Sequence, residues 1–321
     1  MREFEFTSDK GLIIRGKYLT FPLDSKVKNR STLDIVLIHA FPFDSIMFYE
    51  NFKDESFLQN LNNLAAKWGN MRIFIPDLPG FGLSEAFSSR PKNLNPYVEV
   101  IYELVRKFSL QRMIMGGCSM GGYIALEYTH QHPINLEGLI LMDTKPTADT
   151  DQQKKDRVSE INKFVKIRED FKNLKDQSIK INELYSSIPE IQHFIDDLHS
   201  NLLAQDLPQK EPKMSEKILS LMKKQSLKGV IHALSGMAGR KDNTQTLKDF
   251  MGKILLIVGE KDKITPVEIF HEMEKMIKFS ELIIISDAGH LSNIEQTKEF
   301  NDNLLDRLRK IITYLPRPVF G

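Results

Sequence analysis

The sequence predicts an α/β fold with a mostly parallel, doubly wound sheet and an inserted helical segment. Short β-branched runs alternate with longer segments of helical period, and several of these runs are apolar throughout. Strands that alternate with helices indicate parallel βαβ units, and fully apolar strands indicate a sheet covered on both faces. The 321 residues exceed the roughly 250–300 at which single cores stop growing, which leaves room for an insertion.

The elements follow in order along the chain. Residues 3–7 and 12–20 alternate in polarity around Asp9, Lys10 and Gly11, a pattern typical of an antiparallel hairpin. Residues 24–32 are polar and are predicted to form a loop. Further strands are predicted at residues 34–39, 72–76, 112–116, 136–142, 253–258 and 281–286. Helices are predicted at residues 56–67, 96–108, 120–132, 266–278 and 294–312.

The alternation stops between residues 145 and 249, where the pattern is helical and rich in Lys, Glu and Gln. Val158, Ile161 and Val165 recur at spacings of three and four, as in amphipathic helices. A segment of this length cannot be a plain loop in a compact domain. We therefore predict a first core part at 1–144, a helical cap or lid at 145–249 and a second core part at 250–321.

Composition excludes several classes of function. Lys and Arg number 44 against 43 Asp and Glu, so the net charge is +1 and no basic surface for nucleic acid or an anionic membrane is indicated. The one cysteine, Cys118, cannot form an internal disulfide. The first residues lack the apolar core of a signal peptide, and no apolar run is long enough to span a membrane. We expect a soluble, cytoplasmic protein of unspecified oligomeric state.

Residues 112–128, RMIMGGCSMGGYIALEY, are the most informative stretch for chemistry. A short apolar strand leads into Gly117-Cys118-Ser119-Met120-Gly121 and then into a helical run. This is G-x-S-x-G in the strand, turn and helix context of a nucleophile elbow. The following helix directs its free N–H groups toward Ser119, where an oxyanion would form. Ser119 is therefore the predicted nucleophile.

A base and an orienting carboxylate for Ser119 are expected downstream. Asp262 follows the strand ILLIVG, and His290 follows the strand IIIS in the sequence DAGH. The order Ser119, Asp262, His290 is the order expected for this type of elbow. Asp143, after the strand LILM, is an alternative acid, but DTKPTADT is interpreted more simply as the start of the insertion.

These residues carry a resemblance to the α/β-hydrolase fold, and within it to the branch of 3-oxoadipate enol-lactonases and related capped carboxylesterases. The resemblance covers residues 12–144 and 250–310. The motifs that carry it are HAFP (39–42), PDLPGFGLS (76–84), GGCSMGGYIALEY (116–128), LILMDTKPTADT (139–150), SGMAGRKD (235–242), GEKD (259–262) and GH (289–290). It implies that the N–H groups of Phe41 and Met120 form the oxyanion hole, that His39 is structural, and that the insertion is a lid.

The substrate is less well defined by the sequence. Phe164, Phe171, Phe194 and Met237 suggest a partly hydrophobic pocket, or equally the insertion's own core. We place His39, Arg240 and Met237 at the possible pocket. An enol-lactonase substrate would need a cationic partner for its carboxylate, and Arg240 is the first candidate.

Lys145 and Arg157 are weaker candidates for that role. Histidines 193, 199, 232 and 271 have no second ligand at metal-binding spacing, so neither a metal site nor a cofactor is predicted.

The predicted function is hydrolysis of a small-molecule carboxylic ester or lactone through an acyl-enzyme. A cofactor-free perhydrolase and a carbon–carbon bond hydrolase on the same triad remain alternatives. A non-catalytic or slow-turnover ligand-binding protein is the alternative from another class, since fold does not fix function.

Overall fold

A computed structural model describes residues 1–22, 32–170 and 179–314. Its eight-stranded sheet has the order β1-β2-β4-β3-β5-β6-β7-β8, with β4 to β8 and β3 mutually parallel. The strands are β1 (Arg2–Thr7), β2 (Ile13–Phe21), β3 (Thr32–Ile38), β4 (Asn70–Pro76), β5 (Met113–Cys118), β6 (Leu136–Met142), β7 (Lys253–Gly259) and β8 (Ser280–Ile285). The predicted fold class is thereby confirmed.

Helices occupy most of the remaining chain. They are α1 (Glu55–Trp68), α2 (Asn95–Lys107), α3 (Met120–Gln131), α4 (Asp151–Asp170), α5 (Ile181–Leu184), α6 (Pro189–Leu202), α7 (Leu207–Lys210), α8 (Pro212–Lys223), α9 (Leu227–Ala238), α10 (Thr244–Asp249), α11 (Val267–Met276), α12 (Ser292–Glu295) and α13 (Thr297–Tyr314). Two short 3-10 helices cover Ser45–Phe48 and Asn51–Lys53.

The predicted hairpin is the antiparallel pair β1 and β2. Arg2 lies opposite Tyr18 and Thr7 opposite Ile13. Gly11 in the turn has a φ of +79°, a left-handed conformation that glycine adopts without steric cost. Since β2 also pairs antiparallel with β4, the hairpin forms one edge of the sheet.

The central strands are covered on both faces. Every residue of β5 is buried, as are six of the seven residues of β3. Because successive side chains of a strand point to opposite faces, this burial requires helices on both sides. Helix α1 packs against α13, and α2 packs against α3. The sheet therefore holds the ends of its central strands in a rigid frame.

The helical insertion lies between two neighbouring strands. β6 and β7 pair directly, yet the chain between them contains α4 to α10 and, in its described residues, no strand. Phe164 packs edge-to-face on Phe194, with 4.9 Å between ring centroids, so these two rings contribute to the insertion's own core. Phe171 and most of the predicted loop at 24–32 lie outside the described residues.

The predicted helix at 294–312 is confirmed over most of its length, but its first two residues belong to a separate short helix. The chain forms α12 and α13, separated at Gln296, whose φ of −131° and ψ of 55° are not helical. Long-range contacts account for the break, because Ser292 and Glu295 of α12 bond to residues far away in the sequence. Sequence periodicity cannot detect such bonds.

Candidate active site

Ser119 lies in a sharp turn between β5 and α3. Its φ of +50° is unusual for a residue with a side chain and places its backbone in the left-handed region. A Cβ on Gly117 would lie 2.2 Å from the backbone of Gly121, and one on Gly121 would lie 2.2 Å from the oxygen of Ile38. The two glycines of the motif are therefore required by close backbone approach.

The structure brings the three predicted residues into one hydrogen-bonded chain. Nε2 of His290 lies 2.8 Å from Oγ of Ser119, and Nδ1 of His290 lies 2.7 Å from Oδ2 of Asp262. An ionised carboxylate only accepts, so Nδ1 carries the proton and Nε2 is the acceptor for the hydroxyl. The side chains of His290 and Asp262 are almost fully buried.

The buried pair favours the charged forms of both partners. Burial lowers the pKa of His290, but the negative charge and hydrogen bond of Asp262 outweigh it, so the pKa of His290 is raised. Burial likewise raises the pKa of Asp262, and the charge of His290 together with hydrogen bonds from His290 and Thr265 brings it below its usual range. An imidazolium at His290 is thus stabilised where it would form.

The loop after β7 fixes the carboxylate of Asp262. Oδ1 accepts from the N–H groups of Ile264 and Thr265 at 2.8 and 3.0 Å, and Oδ2 accepts from Oγ1 of Thr265 at 2.7 Å. These bonds leave Oδ2 directed at His290. Sequence reasoning did not assign this role to Thr265, although its position three residues after Asp262 is typical of a side-chain-capped turn.

The N–H groups of Phe41 and Met120 are available as donors. Neither donates to an acceptor within residues 1–22, 32–170 and 179–314. Met120 is the first residue of α3, so its N–H is one of the unsatisfied donors at a helix start. Phe41 follows β3, whose end lies beside β5 in the sheet. Ser119 itself is half-buried, and free N–H donors close to a serine nucleophile can stabilise an oxyanion.

His39 holds the loop that contains Phe41. Its Nδ1 donates to the oxygen of Ala40 at 2.9 Å, and its Nε2 accepts from the N–H of Leu78 at 2.9 Å. The ring is fully buried, and burial lowers the pKa of His39. Both ring nitrogens form hydrogen bonds within the protein, so His39 stabilises the loop and has no ring nitrogen left to bind a ligand.

Asp143 has a different set of partners from Asp262. Oδ1 accepts from the N–H of Gly259 at 2.9 Å, and Oδ2 accepts from the N–H and hydroxyl of Ser292 at 3.2 and 2.7 Å. Burial and the charge of Asp262 raise the pKa of Asp143 to about 8. Asp143 therefore joins the end of β7 to α12 without bonding to His290.

The predicted pocket residue Arg240 is engaged inside the protein. Its Nη1 donates to Oδ1 of Asp149 at 2.6 Å, its Nε donates to the oxygen of Thr147, and its guanidinium lies 4.1 Å from the ring centroid of Tyr123. Arg157 pairs with the other oxygen of Asp149. These contacts join the two chain segments that connect the insertion to the core.

The remaining cap residues named from the sequence differ in their exposure to solvent. Met237 is buried in α9. Lys145 is half-buried, and burial together with the nearby charge of Arg240 lowers its pKa. Among the described residues no group of three or more His, Cys, Asp or Glu side chains is placed to hold a metal ion. No described helix has the length and apolar character needed to cross a membrane.

Comparison with known proteins agrees with this architecture. Residues 35–297 match the sequence profile of the α/β hydrolase fold. The chain belongs to the α/β-hydrolase family. Lipase 1 of Psychrobacter immobilis is 23% identical over 291 residues, which cover 86% of this chain and 84% of the lipase.

Two solved structures share the fold over nearly their whole lengths. A thermophilic esterase from Thermogutta terrifontis superposes with a TM-score of 0.76 at 24% identity, covering 97% of this chain and 99% of the esterase. The enol-lactonase from Burkholderia xenovorans LB400 gives a TM-score of 0.70 at 17% identity, covering 95% and 99% of the two chains. The resemblance inferred from the sequence motifs is compatible with both.

Proposed function

We propose that this α/β hydrolase is a carboxylic ester hydrolase in which Ser119, His290 and Asp262 form the catalytic triad. The observation that carries the proposal is the unbroken hydrogen-bonded chain from the Ser119 hydroxyl through His290 to Asp262. A serine hydroxyl is a weak nucleophile unless a base accepts its proton, and a base is oriented by a third group. Ser119 is the nucleophile, His290 is the base, and Asp262 is the group that orients the base.

The reaction proceeds through an acyl-enzyme. His290 accepts the proton of Ser119 as Oγ attacks the ester carbonyl, and it then donates that proton to the leaving alcohol. Asp262 remains ionised and stabilises the imidazolium. Water enters after the alcohol departs, His290 accepts its proton, and collapse of the second tetrahedral intermediate returns the proton to Ser119.

The oxyanion of each tetrahedral intermediate is stabilised by the N–H groups of Phe41 and Met120. Both donors are unpaired within the described residues, so neither has to break a hydrogen bond to those residues before it acts. A single donor of this type is typically worth about 10²–10³ in rate.

The substrate class is a small ester or lactone. Names of relatives support this assignment, since one is a lipase, one an esterase and one an enol-lactonase. The insertion at 145–249 forms the cap over the site and sets the size of the pocket. Buried apolar residues of α9, such as Met237, favour an acyl or alcohol portion with hydrophobic surface.

The decisive experiment measures hydrolysis of p-nitrophenyl esters of increasing acyl length. The wild-type protein should release p-nitrophenol, with a chain-length optimum that reports the pocket. Ser119→Ala should abolish most of that release while its circular dichroism spectrum stays unchanged. Ser89→Ala, which alters an exposed serine in a loop, is the matched control and should behave as wild type.

Other outcomes would identify the alternative functions. Near-normal turnover by folded Ser119→Ala would overturn the triad assignment. Peracid formation from acetate and peroxide would identify a perhydrolase, and cleavage of a diketone without ester hydrolysis would identify a carbon–carbon bond hydrolase. Tight ligand binding with negligible turnover would identify a binding protein of this fold.

A further inference from the structure

Glu295 is a buried carboxylate in α12, five residues after His290. Its Oε2 accepts from the N–H of Gly289 at 3.0 Å and from the N–H of Ala204 at 2.9 Å. Its Oε1 accepts from the N–H of Leu291 at 3.2 Å. Glu295 has no Lys or Arg partner among the described residues, so the three backbone N–H groups and the nearby charge of His290 offset its burial, which still raises the pKa of Glu295.

These bonds enclose the histidine of the triad. Gly289 and Leu291 are the residues on either side of His290, and both donate to Glu295. The N–H of His290 itself donates to the oxygen of Leu202 at 2.7 Å. Every backbone N–H from 289 to 291 is therefore fixed, two by one carboxylate and one by the helical insertion. Buried N–H groups rarely stay unpaired, so these partners define the loop.

The insertion reaches this loop through residues 202–204. Leu202 is the last residue of α6, Leu203 follows it in an extended conformation, and both Leu203 and Ala204 are buried. A Cβ on Gly289 would lie 2.4 Å from the nitrogen of Ala204 and 2.6 Å from the carbonyl carbon of Leu203. Segment 202–204 therefore packs directly on the backbone beside His290, with Glu295 bonded to both.

The charge of Glu295 also acts on the imidazole. The acidic groups that act on His290 are Asp262, Asp143 and Glu295, and all three raise its pKa against the effect of burial. Glu295 differs from the other two because it is hydrogen-bonded to Ala204 of the insertion. Its substitution should therefore change both the position and the protonation of His290.

We propose that Glu295 is a positioning residue that couples segment 202–204 of the insertion to His290, so that docking of the insertion sets the imidazole at Ser119. This inference rests on the proposed ester hydrolysis. A bound substrate that shifts α6 would act on His290 through the same bonds. The insertion then contributes to catalysis as well as to the shape of the pocket.

Glu295→Gln tests the coupling with little change in shape. The amide keeps one acceptor oxygen, but its NH₂ group must face an N–H donor, so at least one bond is lost. We expect kcat for p-nitrophenyl acetate to fall about 10- to 100-fold, because small misplacements of catalytic groups cost about that much, while KM changes little. The acidic limb of the kcat/KM profile should move to lower pH because a negative charge is removed.

Hydrogen exchange gives a readout independent of activity. Amides of residues 202–204 and 289–291 should exchange faster together in Glu295→Gln than in wild type. Glu103→Gln is the matched control, since Glu103 is another buried glutamate whose carboxylate accepts a backbone N–H, that of Asp9. The control should lower stability without moving kcat, the pH profile or exchange at either segment.

The outcomes separate this proposal from the proposed function. A folded Glu295→Gln protein with wild-type kcat and pH profile would overturn the coupling, as would faster exchange at 289–291 alone. Absence of ester hydrolysis in the wild type would overturn the proposed function, and the exchange data would still decide whether the two segments are coupled. If Glu295→Gln does not fold, Glu295→Asp should show reduced kcat with an unshifted acidic limb, and an unchanged kcat would overturn the proposal.

Discussion

Oδ2 of Asp262 lies 2.7 Å from Nδ1 of His290, whereas the oxygens of Asp143 bond to Gly259 and Ser292. Both carboxylates follow neighbouring strands of the sheet, so their positions in the sequence do not show which of them orients His290. Their hydrogen-bond partners distinguish them, because only Asp262 bonds to His290. This difference in partners leads to a direct test with two isosteric substitutions.

Asp262→Asn should reduce kcat by about 10³–10⁴, because an amide that donates to Nδ1 forces the proton onto Nε2 and removes the base for Ser119. Asp143→Asn should cost much less, since it changes hydrogen bonds to Gly259 and Ser292 and leaves the bond between Asp262 and His290 in place. Steady-state kinetics on a p-nitrophenyl ester compare the two. A larger loss in Asp143→Asn than in Asp262→Asn would show that Asp143 is the acid of the triad.

Asp143 should also make stability depend on pH. Its pKa of about 8 in the folded protein lies far above that of an aspartate in an unfolded chain, about 3.9. The folded state therefore keeps a proton that the unfolded state releases, and stability should fall as pH rises from about 4 to about 8. Above that range Asp143 is ionised in both the folded and the unfolded state, so its contribution to stability no longer changes with pH.

Urea unfolding of wild type and Asp143→Asn between pH 5 and pH 8 isolates this contribution. The free energy of unfolding should decrease more steeply with pH in the wild type, because only the wild type has a carboxyl group that titrates at this position. His290 and Asp262 titrate in both proteins, so the difference between the two curves reports Asp143 together with its interactions with these two groups. Parallel curves over this range would contradict the raised pKa of Asp143.

Local sequence signals were sufficient where local geometry decides the structure. Gly11 predicted the hairpin, and the glycines around Ser119 predicted the elbow, because each reflects a backbone conformation or a close approach that few residues permit. The order of Ser119, Asp262 and His290 predicted which strand ends meet. These features depend on neighbouring residues or on the strand order of a known fold.

Features set by distant partners were not predictable in the same way. The break between α12 and α13 follows from bonds that Glu295 makes to Ala204 and that Ser292 makes to Asp143. The direction of Arg240 is set by Asp149, 91 residues earlier in the chain. No periodicity or spacing records such pairs, because each joins residues that are far apart in the sequence and meet only in the folded chain.

A buried amide network joins the 3-10 helix at Asn51–Lys53 to α12 and α13. Nδ2 of Asn51 donates to Oδ1 of Asn301 and to the oxygen of Asn293, and Nδ2 of Asn301 donates to the oxygen of Asn51. Asn51→Ala should lower the free energy of unfolding by about 1–3 kcal/mol, because it leaves buried polar partners unpaired.

Chemical denaturation of Asn51→Ala measures this loss. Asn201→Ala is the control, since Asn201 is exposed and its side chain bonds only to the oxygen of Asp197, one turn earlier in α6. The control should change stability by no more than about 0.5 kcal/mol. Equal stabilities for the two variants would show that the amide network contributes little.

Arg240 provides a test of how the insertion is attached to the core. Its side chain is 3% exposed and that of Asp149 is 1% exposed, so Arg240→Met removes one partner of a buried ion pair. Such changes typically lower the free energy of unfolding by about 3–5 kcal/mol. Because Arg157 also pairs with Asp149, we expect a loss near the lower end of that range. Arg157→Met, at a more exposed position, should cost less.

The same variant decides whether Arg240 also recognises a substrate carboxylate. If its role is to join the two connecting segments, Arg240→Met should change KM by the same factor for a neutral ester and for a matched ester that carries a terminal carboxylate. Competition between these two substrates in one reaction measures the ratio directly. A rise in KM confined to the carboxylated ester would instead show that Nη2 of Arg240, which has no hydrogen-bond partner among the described residues, binds the substrate's anionic group.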